Sequence, residues 1–195
     1  MNMPSRLLFW IMLPLWFLGI GHTGYGVWIF MKAELAQHLI ERAWVQTQNE
    51  QRRIPPWPWA DTWPIAKLRV PQHDIEMFVL SGASGRTLAF GPGHVSSSPL
   101  PGSIGTAIFN GHRDTHFAFL EHMQAGDTIL IDDIYGQTTP FTIQDMQVVD
   151  ARQSIIVQDE SHAQLAFVTC YPFDAITPGG PLRYIVIGTH HASST

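Results

Sequence analysis

A long apolar run near the amino terminus constrains the fold of this chain most strongly. Leu7 to Met31 contains no Asp, Glu, Lys or Arg, and His22 is its one residue that gains positive charge near neutral pH. As an α-helix this run would measure about 37 Å, enough to cross a hydrocarbon core of about 30 Å. Pro14 and the glycines are compatible with a membrane helix. The sequence therefore predicts a membrane anchor over residues 1–31.

A cleaved signal peptide is the alternative interpretation of the same segment. Leu7 to Leu18 would form its apolar region, but no small-x-small cleavage site follows and the chain stays apolar as far as Phe30. We therefore favour an uncleaved, single-pass anchor. The flanking positive charge is slight, and the preferred orientation places the amino terminus inside and the remaining domain outside.

Charge and cysteine content narrow the functional classes. Eleven basic against 16 acidic residues leave a formal net charge of −5, which argues against a nucleic-acid-binding protein. The single cysteine, Cys170, excludes an intrachain disulfide, a two-cysteine redox motif and a thiolate-rich zinc site. It is either a buried thiol that packs as a small hydrophobe or a single reactive thiolate.

Residues 32–62 connect the apolar run to the remainder of the chain. Good helix formers predict that a helix continues to about Arg53, where the proline-rich stretch Ile54–Trp59 ends it. This stretch is typical of an extended spacer. The tryptophans at 57, 59 and 63 suit either a membrane interface or packing on the domain.

Residues 63–195 have the pattern of an all-β domain of short strands separated by turns. β-Branched and aromatic runs bounded by Gly, Pro, Asp and Ser predict seven strands. These are Ile65–Val70, Ile75–Leu80, Thr106–Asn110, Asp127–Asp132, Phe141–Val149, Gln164–Thr169 and Arg183–Gly188. Without long intervening helices they favour an antiparallel sandwich or barrel, and Thr115–Met123 is the one helical candidate.

Three chemically active side chains lie at predicted strand ends. His112 follows Gly111 at the end of one strand, Cys170 ends another, and Arg183 opens the next. If the last two strands are neighbours, the thiol and the guanidinium lie close together on one face. A thiolate that attacks a carbonyl, a histidine that moves protons and a guanidinium that stabilises the oxyanion would form a catalytic set.

The ordered set of motifs resembles the sortase family. It consists of Gly111–His112–Arg113–Asp114, Phe117, Leu120, Gly126–Asp127, Val168–Thr169–Cys170 with Tyr171–Pro172–Phe173, and Arg183. The resemblance covers roughly residues 63–189 and is greatest to the class found in Gram-negative proteobacteria. It implies a membrane-anchored cysteine transpeptidase with an eight-stranded β-barrel and one or two short helices. It also implies a location in the inner membrane with the catalytic domain in the periplasm.

The resemblance implies the chemistry as well. Cys170 would cleave a Leu-Pro-x-Thr-Gly type sorting signal between Thr and Gly, forming a thioacyl intermediate that an amine nucleophile resolves. His112 would carry the protons, and Arg183 would hold substrate and oxyanion. Thr169, Asp114 and Gly111 are supporting residues, and Asp114 either orients His112 or, as we prefer, caps the following helix. Ala166 and Phe167 depart from the family's usual Thr-Leu, which affects pocket details.

No cofactor is expected. The loop Gly91–Gly105 has no Asp or Glu, which argues against calcium activation, and His112 and His116 lack the intervening Glu of a zinc protease. The pair His190–His191 is a further, weaker metal candidate.

The alternative function is a non-catalytic, membrane-tethered β-barrel for binding or assembly. Another class of cell-wall cysteine transpeptidase is disfavoured, because its Ser-x-Gly-Cys signature is absent around Cys170.

Overall fold

A computed structural model describes residues 5–153, 161–177 and 179–190 as two compact units, Met1–His38 and Leu39–Thr195. Helix α1, Ser5–Glu50, runs through both, and it ends three residues before the predicted Arg53. Nowhere in the described residues is a helix both long enough and apolar enough to cross a membrane.

The amino-terminal part of α1 exposes most of its large apolar side chains. From Phe9 to Met31 these side chains are 39% to 73% exposed, with Leu13 and Trp16 at the two limits. A helix that is apolar all round does not have the single apolar stripe of a helix lying on a globular core.

The carboxy-terminal turns of α1 are amphipathic and pack within the second unit. Ile40, Ala43, Trp44 and Thr47 are buried at spacings of one, three and four residues, which places them on one helix face. The Trp44 ring lies 6.0 Å from that of Phe78. This face of the helix is therefore part of the domain's packing.

The proline-rich stretch after α1 also packs against the domain. The ring of Trp57 contacts Phe90 edge-on at 5.0 Å, and the Arg53 guanidinium lies 5.1 Å from the Trp63 ring centre. Trp59, by contrast, is 84% exposed. Trp57 thus follows the packing alternative that the sequence left open, whereas the Trp63 ring contacts a residue of the linker itself.

Eight strands form a closed barrel. They are β1 Pro64–Val70, β2 Ile75–Ser81, β3 Gly93–His94, β4 Gly105–Asn110, β5 Thr128–Asp133, β6 Thr138–Asp150, β7 Ala163–Cys170 and β8 Leu182–Thr189. Their order around the barrel is β1-β2-β3-β4-β7-β8-β6-β5. The β2–β3 and β4–β7 pairs are parallel and the others antiparallel, so the all-antiparallel expectation was wrong at two places.

The seven predicted strands are all present, with ends displaced by at most three residues. The strand that the sequence missed, β3, has two residues and is too short to show an alternating pattern. Inward-facing positions of the strands fill the barrel. Phe109 and Phe167 are fully buried there with their rings 5.6 Å apart. Burial of each such side chain contributes about 1.5–3 kcal/mol.

Short helical segments interrupt the strands. Helix α2 spans Gly85–Leu88, and 3₁₀ turns occupy Pro71–His73 and Ala118–His122. The helix predicted over Thr115–Met123 is therefore shorter. The preceding residues form turns in which the amides of Thr115 and Phe117 both donate to the His112 carbonyl, at 3.4 and 3.0 Å.

Candidate active site

The parallel pair β4–β7 brings the histidine segment beside the cysteine. Asn110 pairs with Val168, and the amide of Gly111 extends the ladder by donating to the Val168 carbonyl at 3.2 Å. The segment that carries His112 therefore leaves β4 beside the end of β7, the strand that ends at Cys170. The two segments meet although His112 and Cys170 are 58 positions apart in sequence, because parallel strands end at the same edge.

The antiparallel pair β7–β8 places Arg183 directly opposite Cys170. Residues directly opposite in such a pair share a face of the sheet. Leu165, Phe167 and Thr169 alternate into the barrel, so Cys170 lies on the outer face, where it is half-buried. The expected neighbourhood of the two strands is confirmed, and it makes Cys170 and Arg183 cross-strand partners.

Thr169 links the two parallel strands from inside the barrel. Its side chain is buried, and its hydroxyl donates to the Gly111 carbonyl at 2.8 Å. This bond crosses from the residue before Cys170 to the residue before His112. Thr169 is therefore placed to support the backbone of both segments.

Gly111 is required by close packing. A Cβ built at this position would lie 2.7 Å from Cγ and Cδ2 of Phe117 and 2.9 Å from its Cε2. The Phe117 ring is fully buried and packs against Phe167 at 5.7 Å, so it has no room to retreat. A side chain at 111 would displace either the ring or the backbone that carries His112.

His112 itself is exposed, and its ring makes no hydrogen bond among the described residues. The imidazole is thus free to meet a substrate. Burial, together with the nearby charge of His112, lowers the pKa of His116.

Arg183 is held by backbone carbonyls. Its Nη1 donates to the carbonyl of Gly180 at 2.7 Å and to that of Leu182 at 2.8 Å. Within the described ranges, no carboxylate lies within 4.0 Å of this guanidinium. Its positive charge is therefore available to an anionic group on the outer face of β7 and β8.

Asp114 does not cap a helix, which corrects the preferred sequence interpretation. The 3₁₀ helix Ala118–His122 has Phe117 at its N-cap, with no side-chain capping bond. The Asp114 carboxylate, 70% exposed, instead accepts from Nε of Arg113 at 3.1 Å. The helix starts too late in the chain for residue 114 to reach its free amides.

Arg113 is the site residue to which sequence reasoning gave no role. Its guanidinium is only 8% exposed, and it donates to the Pro172 carbonyl at 2.7 Å and the Ala175 carbonyl at 2.5 Å. Both acceptors lie in the segment after Cys170. A basic residue beside His112 was visible in the sequence, but its burial was not.

The part of the chain that the structure describes contains no cluster of three His, Cys, Asp or Glu side chains able to hold a metal ion. His112 and His116 are consequently not joined there by a third ligand. His190 binds elsewhere, with its Nδ1 2.8 Å from the Pro140 carbonyl oxygen. Its neighbour His191 lies outside the described residues.

A closed eight-stranded barrel with a thiol, an imidazole segment and a guanidinium at one end is the framework of a cysteine transpeptidase. The sortase-domain family matches residues 68–191, which is more than half of the chain. The chain belongs to the sortase family. A search of curated proteins finds no match.

Solved sortase structures share this fold. A sortase D5 transpeptidase from Clostridium perfringens is 17% identical, with 80% of this chain and 96% of that chain covered at a TM-score of 0.63. Sortase A from Corynebacterium diphtheriae is 26% identical over 69% of this chain and 63% of that chain, with a TM-score of 0.61. A C. perfringens sortase C, solved with the C-terminal cell wall sorting motif, is 16% identical over 83% and 90%, with a TM-score of 0.59. Assignment to the class of Gram-negative proteobacteria stays a prediction.

Proposed function

We propose that this sortase cleaves a Leu-Pro-x-Thr-Gly type sorting signal between Thr and Gly and transfers the Thr carbonyl to an amine. The observation that carries the proposal is the position of Cys170, opposite Arg183 across β7–β8, on a strand whose end is bonded to Gly111, the residue before His112. Three chemically complementary groups at one edge of the barrel supply a nucleophile, a proton carrier and a cation.

Cys170 acts as the nucleophile in its thiolate form. The sulfur attacks the Thr carbonyl carbon, the carbonyl electrons move to oxygen, and the tetrahedral oxyanion then collapses with cleavage of the C–N bond. The product is a thioester on Cys170. An incoming amine attacks that thioester, forms a new amide and returns the thiolate.

His112 moves the protons in both halves of this reaction. As an imidazolium it protonates the Gly nitrogen, which would otherwise leave as an unstable amide anion. The resulting neutral imidazole then takes a proton from the incoming amine. The exposed ring, free of hydrogen bonds within the described residues, supports this role because both partners must reach it.

Arg183 stabilises the negative charge that develops on the Thr carbonyl oxygen. Its Nη1 is committed to backbone carbonyls, which fixes the plane of the guanidinium and leaves other N–H groups for substrate. Arginine stays protonated, so it does not serve as the base.

The proposed substrate class is supported by the family and by the sortase C structure that contains a C-terminal cell wall sorting motif. The substrate strand would lie along the outer face of β7. Ala166 and Phe167 differ there from the family's usual Thr-Leu. Both are fully buried, so they affect the wall beneath the peptide more than its contact surface.

Replacement of the thiol tests the proposal directly. We expect Cys170→Ala to abolish cleavage of a fluorogenic Leu-Pro-x-Thr-Gly peptide and the thioester adduct seen by mass spectrometry. Ser103→Ala, at an exposed loop position, is the matched control and retains both. A folded Cys170→Ala protein that cleaves and transfers as wild type would refute the mechanism and favour a non-catalytic binding or assembly module.

We also propose that residues 1–31 attach the enzyme to the inner membrane, with the barrel in the periplasm. The exposed apolar side chains between Phe9 and Met31 support this location. Alkaline extraction of the full chain from cells is expected to leave it in the membrane pellet, whereas a variant lacking residues 1–31 is released. Release of the full chain, or resistance of the barrel to protease in spheroplasts, would contradict the proposal.

A further inference from the structure

We propose that Arg113 is a positioning residue that holds the His112 segment against the segment after Cys170, and so keeps the imidazole in reach of the thiol. The inference rests on the proposed function of that site. It concerns a side chain that need not touch substrate and that acts through its two neighbouring segments.

The guanidinium of Arg113 joins three groups. Its Nε donates to the Asp114 carboxylate at 3.1 Å, Nη1 to the Pro172 carbonyl at 2.7 Å and Nη2 to the Ala175 carbonyl at 2.5 Å. The two carbonyl acceptors are 59 and 62 residues away in sequence. One buried side chain therefore joins the residue after His112 to the loop that follows Cys170.

Burial makes this junction specific. Arg113 is 8% exposed, and a buried cation is retained only when its N–H groups have partners. The Asp114 carboxylate supplies the opposite charge at the solvent side, and the two carbonyls take the inner N–H groups. A lysine carries one compact ammonium and does not present a rigid fork to two separated carbonyls.

His112 depends on this anchor, because its ring has no hydrogen bond of its own in the described structure. On its amino-terminal side, Gly111 is bonded to Val168 and Thr169. On its carboxy-terminal side, Arg113 supplies the long-range bonds. Without them, the packing of the Phe117 ring on Phe167 is the remaining described restraint that ties this side to the cysteine strand.

The loop after Cys170 is also held by ring contacts, because Tyr171 and Phe173 pack on Tyr184 of β8 at 6.2 and 5.3 Å, but its described backbone hydrogen bonds are few. The Tyr171 amide donates to the Leu182 carbonyl at 3.1 Å, and the Ala175 amide closes a local turn on Pro172 at 3.4 Å. Arg113 donates to the carbonyls of the first and last residues of that turn, Pro172 and Ala175. Its loss would remove the hydrogen bonds that join the turn to the His112 segment, and displacement of a reacting group by about 1 Å can lower a rate about 100-fold.

Kinetics of matched arginine variants test the proposal. Arg69 is the control, because it makes a two-pronged bond to Asp132 on β5 at the far side of the barrel. We expect Arg113→Met to lower kcat for sorting-peptide cleavage about 100-fold with KM within about twofold, since transition-state geometry and not ground-state binding is lost. Arg113→Lys is expected to recover about tenfold of that loss. Arg69→Met is expected to lower Tm with kcat unchanged.

Equal kcat values for folded Arg113→Met and Arg69→Met would overturn the inference, as would a loss confined to KM.

Hydrogen exchange of the full chain provides a readout independent of activity. Arg113→Met is expected to speed exchange in residues 112–117 and 171–177 and to leave β1 and β5 unchanged. Unchanged exchange in those two segments would overturn the inference. If wild type cleaves no sorting peptide, the proposed function fails, and the exchange result still decides whether Arg113 couples the segments.

Discussion

The two sides of the barrel use arginine differently. On β1, Arg69 meets Asp132 of β5 through Nε–Oδ2 at 2.9 Å and Nη2–Oδ1 at 2.6 Å. On β8, three strands away around the closed barrel, Arg183 of the candidate site bonds backbone carbonyls and has no carboxylate partner in the described ranges. Pairing with a carboxylate neutralises a guanidinium, whereas carbonyl acceptors fix its position and leave the net charge for a ligand.

Histidines differ between interior and site in the same way. His94 is 5% exposed, and its Nε2 lies 2.8 Å from the Pro99 carbonyl and 3.1 Å from the Ser98 hydroxyl. His112 is exposed, with no ring hydrogen bond in the part of the chain that is described. Structural groups have their partners inside the protein, and the candidate catalytic groups are free to find theirs in a substrate.

The largest effect after removal of the thiol is expected at His112. We expect His112→Gln to lower kcat/KM for sorting-peptide cleavage about 1000-fold, because the leaving amine loses its proton donor. His122→Gln changes an exposed histidine ten residues further on and is expected to leave the rate unchanged. Equal rates for the two variants would remove the distinction between site and structural histidines.

Arg183 is expected to give the next largest effect. Arg183→Met should lower kcat about 100-fold, as expected for loss of an oxyanion donor, with little change in Tm. Arg69→Met should do the reverse, lowering Tm with kcat retained. Steady-state kinetics combined with thermal denaturation checks both, and a kcat loss in Arg69→Met equal to that in Arg183→Met would contradict the division of roles.

Gly111→Ala tests whether close packing against Phe117 requires a glycine at this position. The added Cβ would lie 2.7 Å from the buried Phe117 ring, and such overpacking is expected to cost about 2 kcal/mol of unfolding free energy. Gly85→Ala is the matched control, because no atom lies within 4 Å of its Cβ, and a change below about 1 kcal/mol is expected. Denaturant unfolding measures both, and equal stabilities would show that the ring yields freely.

Asp132→Asn is expected to have the smallest effect, about 1 kcal/mol of unfolding free energy with unchanged kcat. Desolvation raises the pKa of Asp132, but hydrogen bonds from Arg69 and Thr138 and the nearby positive charges outweigh it, so the pKa lies below its ordinary value of 3.8. The carboxylate therefore stabilises the fold above pH 3.8 and loses that contribution as the pH falls through its lower folded pKa. Unfolding at pH 7 and pH 3 should show the wild-type advantage shrinking in acid; a constant advantage would contradict this assignment.

Local pattern was sufficient to predict most of the barrel. The alternation of β-branched and aromatic residues predicted seven strands, and the Gly111–His112, Cys170 and Arg183 motifs resembled a sortase before any geometry was known. The family match over residues 68–191 confirms that membership. Strand β3 escaped prediction because two residues carry no period, and Asp114 was assigned to a cap because the turns after His112 depend on the packing of Phe117.

The sequence by itself determined the family, the barrel class and the identity of the single thiol, since these depend on residue types at short spacing. Only the tertiary structure decided what surrounds that thiol. Parallel pairing of β4 with β7 brought the segment that carries His112 beside the strand that ends at Cys170. The Arg113 side chain, which the sequence suggested only as a cation, is buried and links two segments. Neither follows from local pattern, because hydrogen-bond acceptors 59 and 62 residues away become neighbours only when the barrel closes.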